Sequence, residues 1–321
     1  MMEEENTNRV LIAVDASNFE YVALNSAAYK WYGDHKNDDA ANVRAPSKTD
    51  QDNLPNILVF DSYRRILHRE ILSRLEYVST IARNFHQNEI DNADGIDIIF
   101  AEDSHVSGNF RRSLYPQYKA QRRLVKQSYN VPVIKEYIQD VLFKELDIEN
   151  SFGYKTLKIE GCECDDIIAV LMRNHSNYAC RIVISSDRDF LQLEGVHQYD
   201  MWGREVKFKI AHHEELSLTP MEFLYWKIVR GDVSDNIKNV FTKVGDVKSY
   251  NLVKDKATLK KMLTENQEAA DRFLLNKKLI DFREIPKEME EKILKAIEEK
   301  LGTPSQKEEV EKFSVESCLS I

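Results

Sequence analysis

Residues 155–173 read KTLKIEGCECDDIIAVLMR. The first five form a short strand, 155–159, and residues 165–173 carry a helical apolar pattern. The turn between them holds Glu160 and Glu163, and the helix opens with Asp165 and Asp166. The same arrangement recurs outward along the chain. An apolar strand at 9–14 ends in Asp15, a second at 96–101 ends in Glu102-Asp103, and a fourth at 181–184 ends in Ser185-Ser186-Asp187-Arg188-Asp189. Helical stretches separate the strands. One covers 18–32. Another covers 58–85, where Leu67, Ile71, Leu75, Val78 and Ile81 recur at three- and four-residue spacing. A third, amphipathic, covers 133–143. Strands alternating with helices predict βαβ units and a mostly parallel sheet flanked by helices.

Ligands of such sheets bind beyond the carboxyl ends of the strands. All the acids above fall at that edge. A single Asp after a strand is ordinary turn or helix-cap chemistry, and Asp166 suits a helix N-terminus on dipole grounds alone. Four strands ending this way exceed what capping explains. So many carboxylates together are tolerable only with cations among them. Hard oxygen ligands select magnesium, with manganese as a substitute, over zinc. Two such ions suit phosphodiester cleavage, one activating a water and the other steadying the leaving oxygen. Two further acids, Asp232 and Asp235, follow a helix in the run Arg230-Gly231-Asp232-Val233-Ser234-Asp235-Asn236.

The net charge is −9, against expectation for a simple nucleic-acid binder. The positive charge is locally dense, however. Arg111, Arg112, Lys119, Arg122, Arg123 and Lys126 fall in one stretch without Asp or Glu, interleaved with Phe110, Tyr115 and Tyr118. Cations track phosphates and rings stack on bases. Taken alone, the stretch reads equally as a solvated helix anchored by its tyrosines. It follows Asp103 closely and is expected beside the acids.

The remaining chain divides by composition. Residues 1–8 are acidic and polar, with no basic or apolar segment of a secretory leader. Residues 33–53 form a polar loop or insertion. Strands at 196–200 and 205–210 are expected to flank a Trp202-Gly203 turn. Residues 219–301 are mainly helical, and 302–321 lack a core pattern. The expected organisation is an N-terminal arm at 1–8, an α/β domain at 9–218, a helical region at 219–301 and a tail at 302–321. No stretch approaches the ~20 apolar residues of a membrane helix, so a cytoplasmic location is expected. Cys162, Cys164, Cys180 and Cys318 are too few and too scattered for a disulfide framework. Cys162 and Cys164 have no second Cys/His pair at zinc-site spacing, and His212-His213 is isolated, so four free thiols are expected.

An ordered set of motifs resembles one family, the flap endonucleases and 5′-3′ exonucleases. It comprises Val14-Asp15-Ala16-Ser17, Phe110-Arg111-Arg112 with Tyr118-Lys119-Ala120-Gln121-Arg122, Glu160 to Asp166, Ser186-Asp187-Arg188-Asp189-Phe190-Leu191-Gln192-Leu193, and Gly231 to Asn236. Ser107-Gly108, Leu279-Ile280-Asp281-Phe282 and Ile285-Pro286 are similar to the T-even-type bacteriophage ribonuclease H subgroup. The resemblance implies a PIN-like nuclease core, a helical arch at about 108–145 and a DNA-binding helical region. It implies Asp15, Asp103, Glu163 and Asp165 around a first metal, Asp187, Asp189, Asp232 and Asp235 serving a second, and Asp166 as the second acid of a paired motif. It implies Lys119 and Arg122 at the scissile phosphate, Tyr118 beside the strand and Arg111 on a phosphate, while Arg112, Arg123 and Lys126 are expected on the nucleic acid from the charge of the stretch.

The activity so implied is removal of RNA primers and 5′ flaps in replication, in a host cell's cytoplasm. The substrates would be flapped DNA and RNA–DNA hybrid, with two Mg2+ ions and a monomeric chain. A sliding clamp and a single-stranded-DNA-binding protein are the partners the phage subgroup suggests. Two departures from the family stand out. Cys164 replaces a common alanine, a small change. The segment 237–245 has a single glycine, so no potassium site is expected, and Lys238, Lys243 and Lys248 read equally as phosphate contacts or as a solvated face. Two competing readings rank lower. A PIN-type ribonuclease would lack the basic arch and the 231–236 motif, and a non-catalytic binder of branched DNA would have lost carboxylates.

Overall fold

A computed structural model of the chain describes residues 7–34, 56–104, 109–120, 130–213 and 215–301. The elements run β1 (Thr7–Asp15), α1 (Ala16–Asp34), α2 (Asp61–Phe85), α3 (Gln87–Asp91), β2 (Gly95–Glu102), α4 (Phe110–Leu114) and α5 (Val131–Tyr137). They continue through α6 (Phe143–Leu146), α7 (Ile148–Phe152), β3 (Lys155–Lys158), α8 (Cys164–Asn174), β4 (Tyr178–Ile184) and β5 (His197–Tyr199). The last are α9 (Pro220–Arg230), α10 (Asp246–Lys254), α11 (Lys256–Thr264), α12 (Gln267–Ile280) and α13 (Lys287–Leu301).

The strands form one parallel sheet in the order β3-β2-β1-β4-β5. Strand β1 is central, and the direction of winding reverses beside it, so the topological switch point falls at its carboxyl end. Both faces of the sheet are covered. Val10, Ile12 and Val14 point to one side and pack on α1 and α2. Leu11 and Ala13 point to the other and pack on α8 and α13. This two-sided burial explains why β1 reads as a continuous apolar run rather than an alternating one. The apolar stripe of α2 behaves as its spacing predicts, with Leu67, Ile71, Leu75, Val78 and Ile81 all buried. Helix α9 starts at a capping box, Thr219 with Glu222, with Pro220 in its first turn. With α10, α11 and α12 it encloses a separate cluster of Val229, Val240, Phe241, Val253 and Leu259.

Two expectations are corrected. The strand expected at 205–210 does not form. Glu205 makes one antiparallel bridge to Tyr199, and Ile210 another to His213. The Asp200 carboxylate accepts from the Trp202 and Arg204 amides at 2.9 and 3.0 Å, which closes the turn. Phe208 then packs edge-on against Trp226 and Phe223 of α9, drawing the chain away from the sheet edge. The helix expected over 133–143 is interrupted by a π-helical segment, Ile138–Leu142, between α5 and α6. Lys135 and Gln139 of this region both reach the buried Glu20 of α1, at 3.2 and 2.8 Å. Most of the polar stretch 33–53, and the tail 302–321, lie outside the described residues.

Candidate active site

The register fixes the acids. Asp15 pairs with Ala101 and Val14 with Ile184, so Asp15, Asp103 and Asp187 emerge side by side at the carboxyl edge of β1, β2 and β4. Asp165 joins them from the first turn of α8. One ligand atom each from Asp15, Cys164 and Asp165 lies within 4.8 Å of the others.

Short polar contacts hold each acid. Asp15 accepts from the Asn18 amide at 2.9 Å and from the Ser185 hydroxyl at 2.8 Å. The Cys164 thiol donates to Asp15 at 3.3 Å. Asp103 accepts from the Ser17 hydroxyl at 2.6 Å and from the Cys164 amide at 2.9 Å. Asp187 accepts from the Asp189 amide at 2.9 Å, capping the 3-10 turn that follows. The buried Gln198 of β5 donates to the carbonyls of Ser185 and Asp187, at 2.9 and 2.6 Å, and steadies that loop from behind.

The electrostatics separate the group. Burial first, then the charge of Asp187, pushes the Asp165 carboxyl well above the usual range, against Lys119. Burial, aided by Asp103 and Asp187, also raises Asp15 despite its hydrogen bonds. Burial works on Asp103 too, but Ser17, the Cys164 amide and Lys119 outweigh it and leave that carboxyl below the usual range. Carboxylates that raise one another in this way, with oxygen donors converging, fit a hard divalent cation placed among them.

Several residues expected here stand differently. Glu163 is engaged by three donors: Arg111 at 3.2 Å, the Tyr118 hydroxyl at 3.2 Å, and the Lys119 ammonium. Despite burial, Lys119 and Arg111 hold its carboxyl below the usual range. Asp166 accepts from the Glu163 amide at 3.2 Å and pairs with Arg111 at 2.8 Å. Its side chain lies at the start of α8, against Arg111. Arg111 is 3% exposed, and its Nε also donates to the Leu279 carbonyl at 2.8 Å. It is an internal counter-charge to Glu163 and Asp166. Tyr118 is 4% exposed, so its ring is packed inward and not presented to a base. Both inward placements have one cause: the acids at 163 and 166 need donors, and Arg111 and Tyr118 supply them.

Lys119 sits at the rim in left-handed backbone, φ 56°, and its amide donates to the Asp235 carbonyl at 2.9 Å. That bond and one from the Asn236 amide side chain to the Gln117 carbonyl, 2.9 Å, join the segment after α4 to the 231–236 turn. The turn demands glycine at its start. Gly231 has φ 67°, and a Cβ there would lie 2.5 Å from the Ile237 carbonyl oxygen.

Asp189 and Asp232 converge on Lys227 of α9, a residue no sequence motif singled out. Its buried ammonium pairs with Asp189 and lies 2.9 Å from Asp232. Burial would raise the Asp232 carboxyl, but Lys227 and Ser234 hold it down at about 2. The acids expected to serve a second ion thus divide. Asp187 faces Asp15 and Asp165, Asp189 and Asp232 grip Lys227, and Asp235 faces Lys119 and Tyr118. Arg112 is partly exposed on α4. Lys238 and Lys243 lie apart from the acids, lining an open groove with Arg230, Asn239 and Arg272. Arg122, Arg123 and Lys126 fall outside the described residues. Sequence reading assigned no role to Ser17, Asn18 or Ser185. The only signal for them was their place one to three residues from a strand-end acid.

Fold and acid edge together define a resolvase-like, PIN-type α/β domain with a carboxylate centre. Residues 74–217 match the family model described as the 5′-3′ exonuclease N-terminal, resolvase-like domain. Over that span, a little under half of its length, the chain is similar to the 5′-3′ exonucleases. It is 30% identical over 177 residues to a 5′-3′ exonuclease of Buchnera aphidicola, covering 54% of this chain and 57% of that protein. It is 28% identical over 168 residues to the 5′-3′ exonuclease of Bacillus subtilis, covering 49% and 52%. The chain thus spans about half the length of the curated relatives it matches. Its fold is similar to that of the T5 5′-exonuclease with bound divalent zinc ions, with a TM-score of 0.56 and 17% identity over 91% of this chain and 99% of that one. It is similar also to a T5 flap endonuclease in a complex with DNA and metal ions, with a TM-score of 0.55 and 17% identity over 91% and 98%.

Proposed function

We propose that this protein is a structure-specific 5′-3′ nuclease that hydrolyses phosphodiester bonds in flapped DNA and in the RNA of RNA–DNA hybrids, removing primers and 5′ flaps during replication. The observation that carries the reading is the meeting of Asp15, Asp103, Asp165 and Asp187 at the switch point of the sheet, where burial and mutual repulsion raise Asp15 and Asp165. These residues would hold two Mg2+ ions, with Mn2+ as a substitute. When bound, the ions would supply Lewis-acid stabilisation of phosphoryl charge and an activated water.

The chain's own residues supply the rest. Ser17, Asn18 and Ser185 fix the carboxylate oxygens, so little reorganisation is needed when a cation or phosphate arrives. Lys119 rests on Glu163 at the rim. An incoming phosphate competes for that ammonium and is oriented by it, with Arg122 in the same role from the arch. Glu163 keeps its remaining donors, Arg111 and Tyr118, and stays anchored when Lys119 turns to substrate. Lys238 and Lys243, with Arg230 and Arg272, offer phosphate contacts along the helical region 219–301, which we assign to duplex binding, with 9–218 as the nuclease domain. The resemblance of Leu279-Ile280-Asp281-Phe282 and Ile285-Pro286 to the T-even-type ribonuclease H subgroup supports the RNA–DNA hybrid as a substrate.

The test compares a 5′-flap and an RNA–DNA hybrid, each labelled at the 5′ end, with and without magnesium, for the native chain and Asp165→Asn. Magnesium-dependent release from both substrates, lost in the variant, is the expected result. Release without magnesium, or an active variant, overturns the assignment.

A further inference from the structure

A second convergence of ligand-type side chains lies on the α2 face of the sheet, separate from the strand-end carboxylates. Cys180 of β4 alternates onto that face with Ile182 and Ile184. Strand β5 pairs His197 with Ile182, which sets the imidazole beside the thiol on the same side. His86, between α2 and α3, closes over both. The two imidazole rings are 4.3 Å apart between centroids and inclined at 53°. One ligand atom each from His86, Cys180 and His197 falls within 4.8 Å of the other two. Cys180 is a free thiol, buried with His86, while His197 is exposed and leaves a path from solvent. Glu89, one helical turn beyond His86, lies close enough for its charge to act on His86, Cys180 and Tyr199.

We propose that His86, Cys180 and His197 form a binding site for a borderline-soft divalent transition ion, Zn2+ above all, with Glu89 or a water in the fourth position. One thiolate and two imidazoles are a zinc donor set and a poor one for magnesium, so the site and the carboxylate edge select different ions. The ligands are prepared unequally. Burial and the neighbouring His197 push the His86 pKa down, so its ring is a neutral ligand at neutral pH. Its Nε2 lies 3.0 Å from the Tyr199 hydroxyl, a contact of the kind that orients a metal-bound imidazole. Burial and Glu89 push the Cys180 thiol up to about 11, so it is protonated until an ion arrives. Binding therefore forms a metal–thiolate bond and releases one proton, from Cys180.

The ion would tie a three-residue edge strand to the α2–α3 junction. His197 precedes Gln198, whose side chain holds the Ser185 and Asp187 carbonyls. A staple at His197 thus braces the loop that carries Asp187 without any ligand in common with it.

The test loads the full chain with Co2+ in excess Mg2+, added to compete at the carboxylate edge as the proposed function requires, and reads the near-ultraviolet thiolate-to-cobalt absorption. Cys164 also lies near carboxylates, so the band is read in Cys164→Ala, Cys180→Ala and His197→Ala. The expected result is a band retained in Cys164→Ala and lost in the other two. His197 is exposed, so His197→Ala tests the site without disturbing a buried position. Zn2+ is also expected to raise the melting temperature of the native chain in excess Mg2+, and not that of His197→Ala. A native chain without the band, or a band lost in Cys164→Ala and kept in His197→Ala, overturns the proposal.

Discussion

The Lys227 ammonium lies 2.9 Å from an Asp232 carboxylate oxygen and pairs at the same time with Asp189. A cation on a helix thus satisfies two strand- and turn-borne acids that would otherwise face each other across a narrow, mostly buried gap. Removing one partner of such a group leaves uncompensated charge in a poorly solvated place. Lys227→Met is expected to cost about 3–5 kcal/mol of stability in metal-free buffer. Magnesium should restore part of that loss by taking up the freed carboxylates. Urea unfolding with EDTA or with magnesium measures both effects. Equal stability of variant and native chain in EDTA would show that Asp189 and Asp232 do not depend on Lys227.

Asp165→Asn and Asp187→Asn are expected to reduce cleavage by on the order of 10²–10³-fold or more, since each removes charge placed for the transition state. Neither should weaken binding of a flapped duplex, which draws on phosphate contacts elsewhere. Fluorescence anisotropy beside single-turnover cleavage separates the two. Native rates in either variant would exclude that carboxylate from the centre.

Lys119→Ala removes a donor from Glu163 and, in our reading, from the scissile phosphate. Turnover is expected to fall by on the order of 10²-fold, with a much smaller change in KM and in the urea midpoint. Arg111 and Tyr118 remain on Glu163, so the fold should persist. A variant that unfolds earlier yet turns over normally would make Lys119 a structural residue only.

Glu20 offers a pH test away from the acidic edge. Burial pushes its carboxyl from the ordinary 4.5 up to about 7, against the pull of Lys135 and Gln139. The folded chain therefore holds this proton more tightly than the unfolded one. The resulting stability is full below the ordinary carboxylate value and is lost as pH rises through the folded value, about 3 kcal/mol in all. Glu20→Gln, uncharged throughout, should lack that decline. Urea midpoints of both chains across the window measure the difference. Parallel slopes would refute the assignment.

Much of this architecture was legible in the sequence because the decisive signals were local. The α2 stripe is a matter of spacing within one helix, and each strand-end acid follows its own apolar run. What escaped was set by tertiary pairing. Arg111 and Tyr118 share a stretch with exposed cations and looked alike in composition. Only the burial of Glu163 and Asp166 beneath them turns those two inward. The excess of acids over 160–166 was a hint that some basic residues would be needed internally. Lys227 sits in an ordinary amphipathic helix, and nothing nearby announces its two partners. His86, Cys180 and His197 are separated by long tracts of chain, so a search for ligand spacing passes over them. The strand expected at 205–210 failed for a similar reason: Phe208 finds its partners on α9 rather than on the sheet.

The strand order has a consequence for synthesis. Strand β4 lies beside β1, although the chain makes β2 and β3 first. A ribosome-tethered protein that has emerged only through α8 already owns Asp15, Asp103 and Asp165, but Ser185 and Asp187 have yet to be translated. Until they arrive, Asp15 lacks its hydroxyl donor and the centre lacks its fourth wall. The carboxylate centre is therefore among the last parts of the sheet to be completed, and a chain stopped before β4 carries its acids without the group that closes them.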